Sequence, residues 1–182
     1  MHLKRVGLLK TLPVSARFSG IVLTPAATQM ISLEDAELIA KNGVCVIDCS
    51  WAFFETVKVK SNKKHERILP NLLAANTINY GKEFKLNCAE AFAAACYLTG
   101  YEEQARFIMS KFKYGPAFFA INEYRFAQYR GMKTSAEMIA KEKEVLEEIA
   151  KERKENRERE LDLPSSDSDD EYLQAYRGGG LK

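Results

Sequence analysis

Apolar residues fall in short β-branched runs early in the chain and at helical spacing later on. Residues 3–14 hold Leu3, Val6, Leu8, Leu9 and Leu12 among Lys4, Arg5 and Lys10, and Pro13 ends the segment. Gly20 to Pro25 reads as a short strand closed by Thr24-Pro25. Ser32 is placed to cap a helix with Glu34 and Asp35 in its first turn, ending near Asn42-Gly43. Val44-Cys45-Val46-Ile47 follows, four apolar residues of which three are β-branched. So short an apolar run predicts a strand buried on both faces. Strand, helix and strand within about 30 residues make a βαβ unit and so a parallel pair.

From Lys58 to Arg67 the chain is basic and irregular, which predicts an exposed loop. Such a loop suits either nucleic-acid phosphate or plain solvent. Pro70 and the asparagines from Asn71 to Asn79 argue against one long helix there. Asn87 with Glu90 three residues on resembles a capping box, opening an Ala-rich helix from Cys88 to Leu98. A third helix is expected from about Tyr101 to Tyr114 with Gly115 as its stop, and a fourth from about Ala117 to Arg130. Lys111, Lys113, Tyr114, Arg125, Tyr129 and Arg130 interleave charge with aromatics. That mixture suits RNA, through phosphate contact and base stacking, and a packed helix pair with solvated cations accounts for it equally. A long charged helix runs from about Thr134 to Glu160, with sparse apolar residues that stop at Ile149.

Composition narrows the class. The chain has 182 residues, enough for one domain with an appended segment, and a hydrophobic fraction of 46%. No apolar run reaches the roughly 18 residues of a membrane span, so no membrane partner is expected. The net charge of +2 is unevenly spread. Residues 1–132 carry 17 Lys/Arg and 11 Asp/Glu, residues 133–160 carry 8 and 9, and residues 161–182 carry 2 and 5. The expected organisation is a domain over 1–132, a charged helix over 133–160 and a disordered acidic tail over 161–182. A basic body with an acidic tail suggests a polyanion partner. Cys45, Cys49, Cys88 and Cys96 form no C-x-x-C pair and read as buried free thiols in a reducing compartment. No metal set is evident.

Candidate chemistry gathers after the second strand, where the apolar run stops at Asp48 and the chain's single Trp follows at Trp51. Ligands of open parallel sheets sit beyond the carboxyl ends of strands, so both residues lie where a site is expected. The plain alternative is an Asp that caps a turn and a Trp in the core. There is no G-x-G-x-x-G, P-loop or H-E-x-x-H. The two histidines, His2 and His65, leave little scope for a Ser/His/Asp or Cys/His set.

Six ordered segments together resemble one family. They are Val46 to Trp51, Arg67 to Pro70, Leu73 to Asn76, Asn79 to Gly81, Leu86 to Ala94 and Lys111 to Gly115. In order and spacing they resemble the small-subunit (18S in eukaryotes) rRNA aminocarboxypropyltransferases, ribosome-maturation enzymes, over roughly residues 3–130. The resemblance implies an α/β, SPOUT-like knotted fold with a parallel sheet, followed by helices. It implies S-adenosylmethionine as donor, without a metal. The 3-amino-3-carboxypropyl group would pass to N3 of a modified uridine, N1-methylpseudouridine in eukaryotes, leaving 5′-methylthioadenosine.

The same resemblance assigns roles to residues. Ile47 corresponds to a ribose contact and Leu69 to an adenine contact through its backbone. Phe84 stands where the family usually has Tyr on the same pocket. Cys88 falls near the amino-acid end of the donor, Trp51 near the sulfonium, and Asp48 at the acid used in transfer. Apart from the resemblance, the basic composition of their segments leads to the expectation that Lys63, Lys64, Lys111, Lys113, Arg125 and Arg130 flank the site and hold RNA. Family members carry a Cys-Thr-Gly segment, whose Thr contacts the donor, upstream of the position matched by Leu3-Lys4-Arg5. This sequence starts at Met1, too late to include it. The implied partner is small-subunit rRNA in the pre-40S particle, met by a monomer in the cytoplasm or nucleus. A methyltransferase on the same fold and a non-catalytic assembly factor are the alternative readings.

Overall fold

The computed structural model describes residues 2–5, 7–13, 16–47 and 62–161. Its elements are helix α1 (His2–Arg5), strand β1 (Ile21–Leu23), helix α2 (Ala36–Asn42), strand β2 (Val44–Val46) and strand β3 (Glu66–Arg67). Helices α3 (Cys88–Leu98), α4 (Glu102–Met109), α5 (Gly115–Ile121), α6 (Glu123–Tyr129) and α7 (Ser135–Leu161) follow. Two compact units result, residues 1–145 and 146–182.

The sheet of the first unit has the order β2-β1-β3, and both pairings are parallel. β1 is central because Ile21, Val22 and Leu23 are all buried and can be covered on both faces. β1, α2 and β2 form the expected βαβ unit. A single 3₁₀ turn, Leu33–Asp35, precedes α2, and Ser32 and Asp35 close a capping box across it. Gly43, at φ 82°, ends α2 in a conformation that costs any residue with a Cβ, and turns the chain straight into β2.

The expectation for β2 needs correction. Val44, Cys45 and Val46 are half-buried rather than enclosed on both faces, because they form one wall of an open cavity. The exposed basic loop also ends earlier than its composition predicts. Arg67 is buried, and its guanidinium grips Asp35 at 2.8 and 3.0 Å. Burial pushes the Asp35 carboxyl up, and the adjoining guanidinium opposes that shift.

The helices form the second layer. α3 packs on α4 and on β2, and its fully buried Ala93, Ala94 and Ala95 allow the close approach. Gly115 starts α5 rather than stopping a helix. A Cβ there would lie 2.0 Å from the Met109 carbonyl oxygen, so only Gly permits this approach. The run from Ala117 to Arg130 is not one helix but two, α5 and α6, divided at Asn122. Phe118, Phe119, Phe126 and Tyr97 meet between them with centroids 4.4 to 6.1 Å apart. Met138 and Val145 of α7 complete this core. In the second unit, the side chains from Lys151 to Arg159 are all exposed.

Candidate active site

A cavity of about 810 Å³ lies between the sheet edge, α3 and the N-terminal segment. Val44, Cys45, Val46 and Ile47 form one wall. Cys88, Phe92 and Cys96 form another; their i, i+4, i+8 spacing puts them on one face of α3. Ile108 of α4 and the stretch from Leu8 to Pro13 close it further. The volume suits a drug-sized ligand, and an apolar lining with a few polar groups is what such sites commonly show. Burial raises the Cys45 thiol, and pushes Cys96 up to about 11. Both thiols are therefore neutral near pH 7 and serve as apolar lining rather than nucleophiles.

An irregular segment, residues 68–76, is fastened beside α3 by hydrogen bonds at residues 71, 73, 75 and 76. Glu90, fully buried, is its main anchor. Its Oε1 accepts from the backbone N–H groups of Ala75 and Asn76 at 2.7 and 2.8 Å. Its Oε2 accepts from Asn76 Nδ2 and the Asn87 N–H at 2.7 and 2.8 Å. The expected capping box is thus present, and the same carboxylate also fastens a loop 14 residues upstream. Asn87 Oδ1 caps the Ala89 and Glu90 N–H groups, while its Nδ2 donates to Tyr114 Oη at 2.7 Å. Asn122, the residue that divides α5 from α6, receives the Leu73 N–H at 2.7 Å and donates back to the Leu73 carbonyl at 2.8 Å. Glu142 of α7 accepts the Asn71 N–H at 2.6 Å.

Arg125 belongs to this clamp. Its Nε donates to Asn71 Oδ1 at 2.9 Å and its terminal nitrogen reaches Glu83 at 3.4 Å, with only 6% of the residue exposed. Its inclusion among the RNA-binding cations is therefore corrected: tertiary partners already occupy the guanidinium. No sequence signal separates it from the neighbouring surface cations. Glu90 had one signal, its capping spacing; Asn122 and Glu142 had none.

The chain matches known proteins along most of its length. Residues 21–146 match the family described as ribosome biogenesis protein, C-terminal. The 16S rRNA aminocarboxypropyltransferase of Methanosphaera stadtmanae is 42% identical over 131 residues, 71% of this chain and 76% of the relative. The chain belongs to the small-subunit rRNA aminocarboxypropyltransferase family. Its relative in Schizosaccharomyces pombe, named 18S rRNA aminocarboxypropyltransferase, is 37% identical over 162 residues, 88% of this chain. The chain spans about half the length of the yeast relatives it matches, 56% and 50%. The solved structure of a SAM-dependent rRNA acp-transferase from Vulcanisaeta distributa aligns with a TM-score of 0.66 at 30% identity, covering 79% of this chain and 78% of that one. The α/β fold, a parallel sheet followed by helices, is thus a SPOUT-like fold of this family.

The residues that the family resemblance singles out are distributed unevenly. Ile47 and Cys88 line the cavity together. Leu69 sits half-buried in the clamped segment, and its N–H donates to no described residue. Phe84 is 51% exposed at φ 57° and is not among the cavity's lining residues. Asp48 and Trp51 lie outside the described residues, as does the tail beyond Leu161. Lys63, Lys64 and Lys113 are exposed. Lys111 lies 4.1 Å over the Phe107 ring. Arg130 is exposed, 3.3 Å from Glu102.

Proposed function

We propose that this chain transfers the 3-amino-3-carboxypropyl group of S-adenosylmethionine to N3 of a modified uridine, N1-methylpseudouridine, in small-subunit rRNA. The observation that carries the proposal is the shared cavity of Ile47 and Cys88, two residues far apart in sequence that family likeness had assigned to the ribose and to the amino-acid end of one donor. In this reading, Leu69 presents its backbone to the adenine and Phe84 turns onto the pocket rim. Trp51 covers the sulfonium and Asp48 takes up the N3 proton. N3 attacks the sulfur-bound methylene carbon of the aminocarboxypropyl chain; that carbon–sulfur bond breaks, and its electron pair leaves with the sulfur of 5′-methylthioadenosine. Three carbons on a sulfonium are electrophilic, so orientation in the cavity decides which one is transferred. A Trp over the methyl group shields it and offers a cation–π contact.

The same proposal includes a knotted course of the chain, a monomeric state, and action on the pre-40S particle in the cytoplasm or nucleus. Lys63, Lys64, Lys111, Lys113 and Arg130 hold the RNA backbone. The test is mass spectrometry of small-subunit rRNA from cells that do or do not express the chain. An aminocarboxypropyl adduct that depends on expression is the expected result. An rRNA unchanged by loss of the chain would remove the proposal, and a methyl adduct in its place would make the chain a methyltransferase.

A further inference from the structure

The cavity has a charged mouth that the family likeness does not assign. Among its described lining residues the charged ones are Lys10 and Arg17, both cations and both exposed. Neither is in an ion pair with any described residue. The remaining lining residues are mostly apolar, with Thr11 and Asn42 as neutral polar groups. Two exposed cations facing an apolar hollow, with no described carboxylate among them, favour an anion at the opening. Leu8 and Leu12, each 41% exposed, flank Lys10 in sequence and line the same cavity.

We infer that Lys10 and Arg17 hold the phosphates of the acceptor RNA strand against the mouth of the cavity, and so position the acceptor base over it. The inference rests on the proposed function. Two anions could meet such cations, an RNA phosphate or the carboxylate of the donor. Placement favours phosphate: the cations stand at the solvent side, whereas the apolar walls of β2 and α3 enclose the space behind them. A phosphate diester tracking along the surface needs no burial, and Arg in particular can engage it through two parallel N–H donors. Leu8 and Leu12 add exposed apolar surface to the lining, on which an unstacked base can rest.

The experiment uses the full chain with Lys10→Gln, Arg17→Gln and the double variant, and Lys10→Arg as the conservative control. Binding of a short single-stranded RNA oligonucleotide is measured across a salt series, beside calorimetry with S-adenosylmethionine. Each phosphate neutralised on a single strand adds about −0.7 to the slope of log affinity against log salt. With two phosphates left unpaired the slope flattens by about 1.4, so that between 50 and 200 mM salt the parent loses roughly sevenfold more affinity than the double variant. Donor affinity is expected to stay as in the parent, and Lys10→Arg to keep the parental slope. Because both side chains are exposed, the thermal midpoint should not move. An unchanged slope in an RNA-binding parent and double variant overturns the inference alone. A fall in donor affinity without a change of slope reassigns the two cations to the donor carboxylate and overturns it as well. A parent that binds donor but no RNA overturns the proposed function, and the inference with it.

Discussion

Replacing Glu90 by Gln isolates the device that holds the irregular segment beside α3. The substitution keeps shape and volume but turns one carboxylate oxygen into an N–H₂ group. Each oxygen accepts two donors, Oε1 from the Ala75 and Asn76 N–H groups and Oε2 from Asn76 Nδ2 and the Asn87 N–H. Whichever oxygen is replaced, two donors then face another donor. A buried donor left without an acceptor costs about 1–3 kcal/mol, so the pair costs about 2–6 kcal/mol. The lower half of that range is expected if the amide nitrogen takes the Oε2 place, because the Asn87 N–H is only partly buried and can recruit water. Domains of this kind are stable by about 5–15 kcal/mol, so the variant should remain folded yet unfold at a clearly lower urea concentration. The loss should be local in native-state hydrogen exchange, with the Ala75 and Asn76 amides released and β1 little changed. A destabilisation under about 0.5 kcal/mol, with those amides still protected, would refute the claim that Glu90 anchors this segment.

Other consequences concern the site and its surroundings. Asp48→Ala should lower single-turnover transfer at saturating donor by roughly 10²–10⁴-fold, the usual contribution of a general base; equal rates remove Asp48 from the chemistry. Cys96, its pKa raised to about 11 by burial, is the neutral thiol below that pH and gains thiolate only as pH rises towards it. At pH 8 about one part in a thousand is thiolate, against about a quarter for an ordinary thiol near 8.5, so alkylation of Cys96 read by peptide mass spectrometry should be some 200-fold slow. Alkylation at the ordinary rate would place Cys96 in solvent instead of the cavity wall. Charge reversal at Lys63, Lys64, Lys111 and Lys113 should flatten the salt dependence of RNA binding, by about 0.7 of slope for each phosphate no longer neutralised. Arg125→Met should instead lower the unfolding midpoint and leave that slope alone; a slope change without loss of stability would return Arg125 to the RNA surface.

What could be read in the sequence was local. The capping box of Asn87 and Glu90, the Gly43 end of α2 and the parallel βαβ unit all rest on neighbours a few residues apart, and the structure contains each of them. What escaped depends on partners distant in the chain. Arg125 and Arg130 look alike in composition, yet one is buried against Asn71 and Glu83 and the other is exposed. Asn122 breaks a continuous apolar pattern because its amide is engaged by Leu73, 49 residues upstream. Gly115 reads as a helix stop because its real constraint, the Met109 carbonyl, is set by how α4 meets α5. β2 has the composition of an enclosed strand, but the space beside it is open. In the site, Ile47 and Cys88 could be paired only through family likeness, since no periodicity links a strand end to a helix start 41 residues later.

The central claim is that the aminocarboxypropyl group, rather than the methyl, leaves the sulfonium. It is tested most directly by incubating the purified chain and acceptor RNA with S-adenosylmethionine labelled either on the carboxyl carbon or on the methyl. Carboxyl label in the RNA, with 5′-methylthioadenosine as the released product, is the predicted result. Methyl label in the RNA, with S-adenosylhomocysteine released, would contradict it.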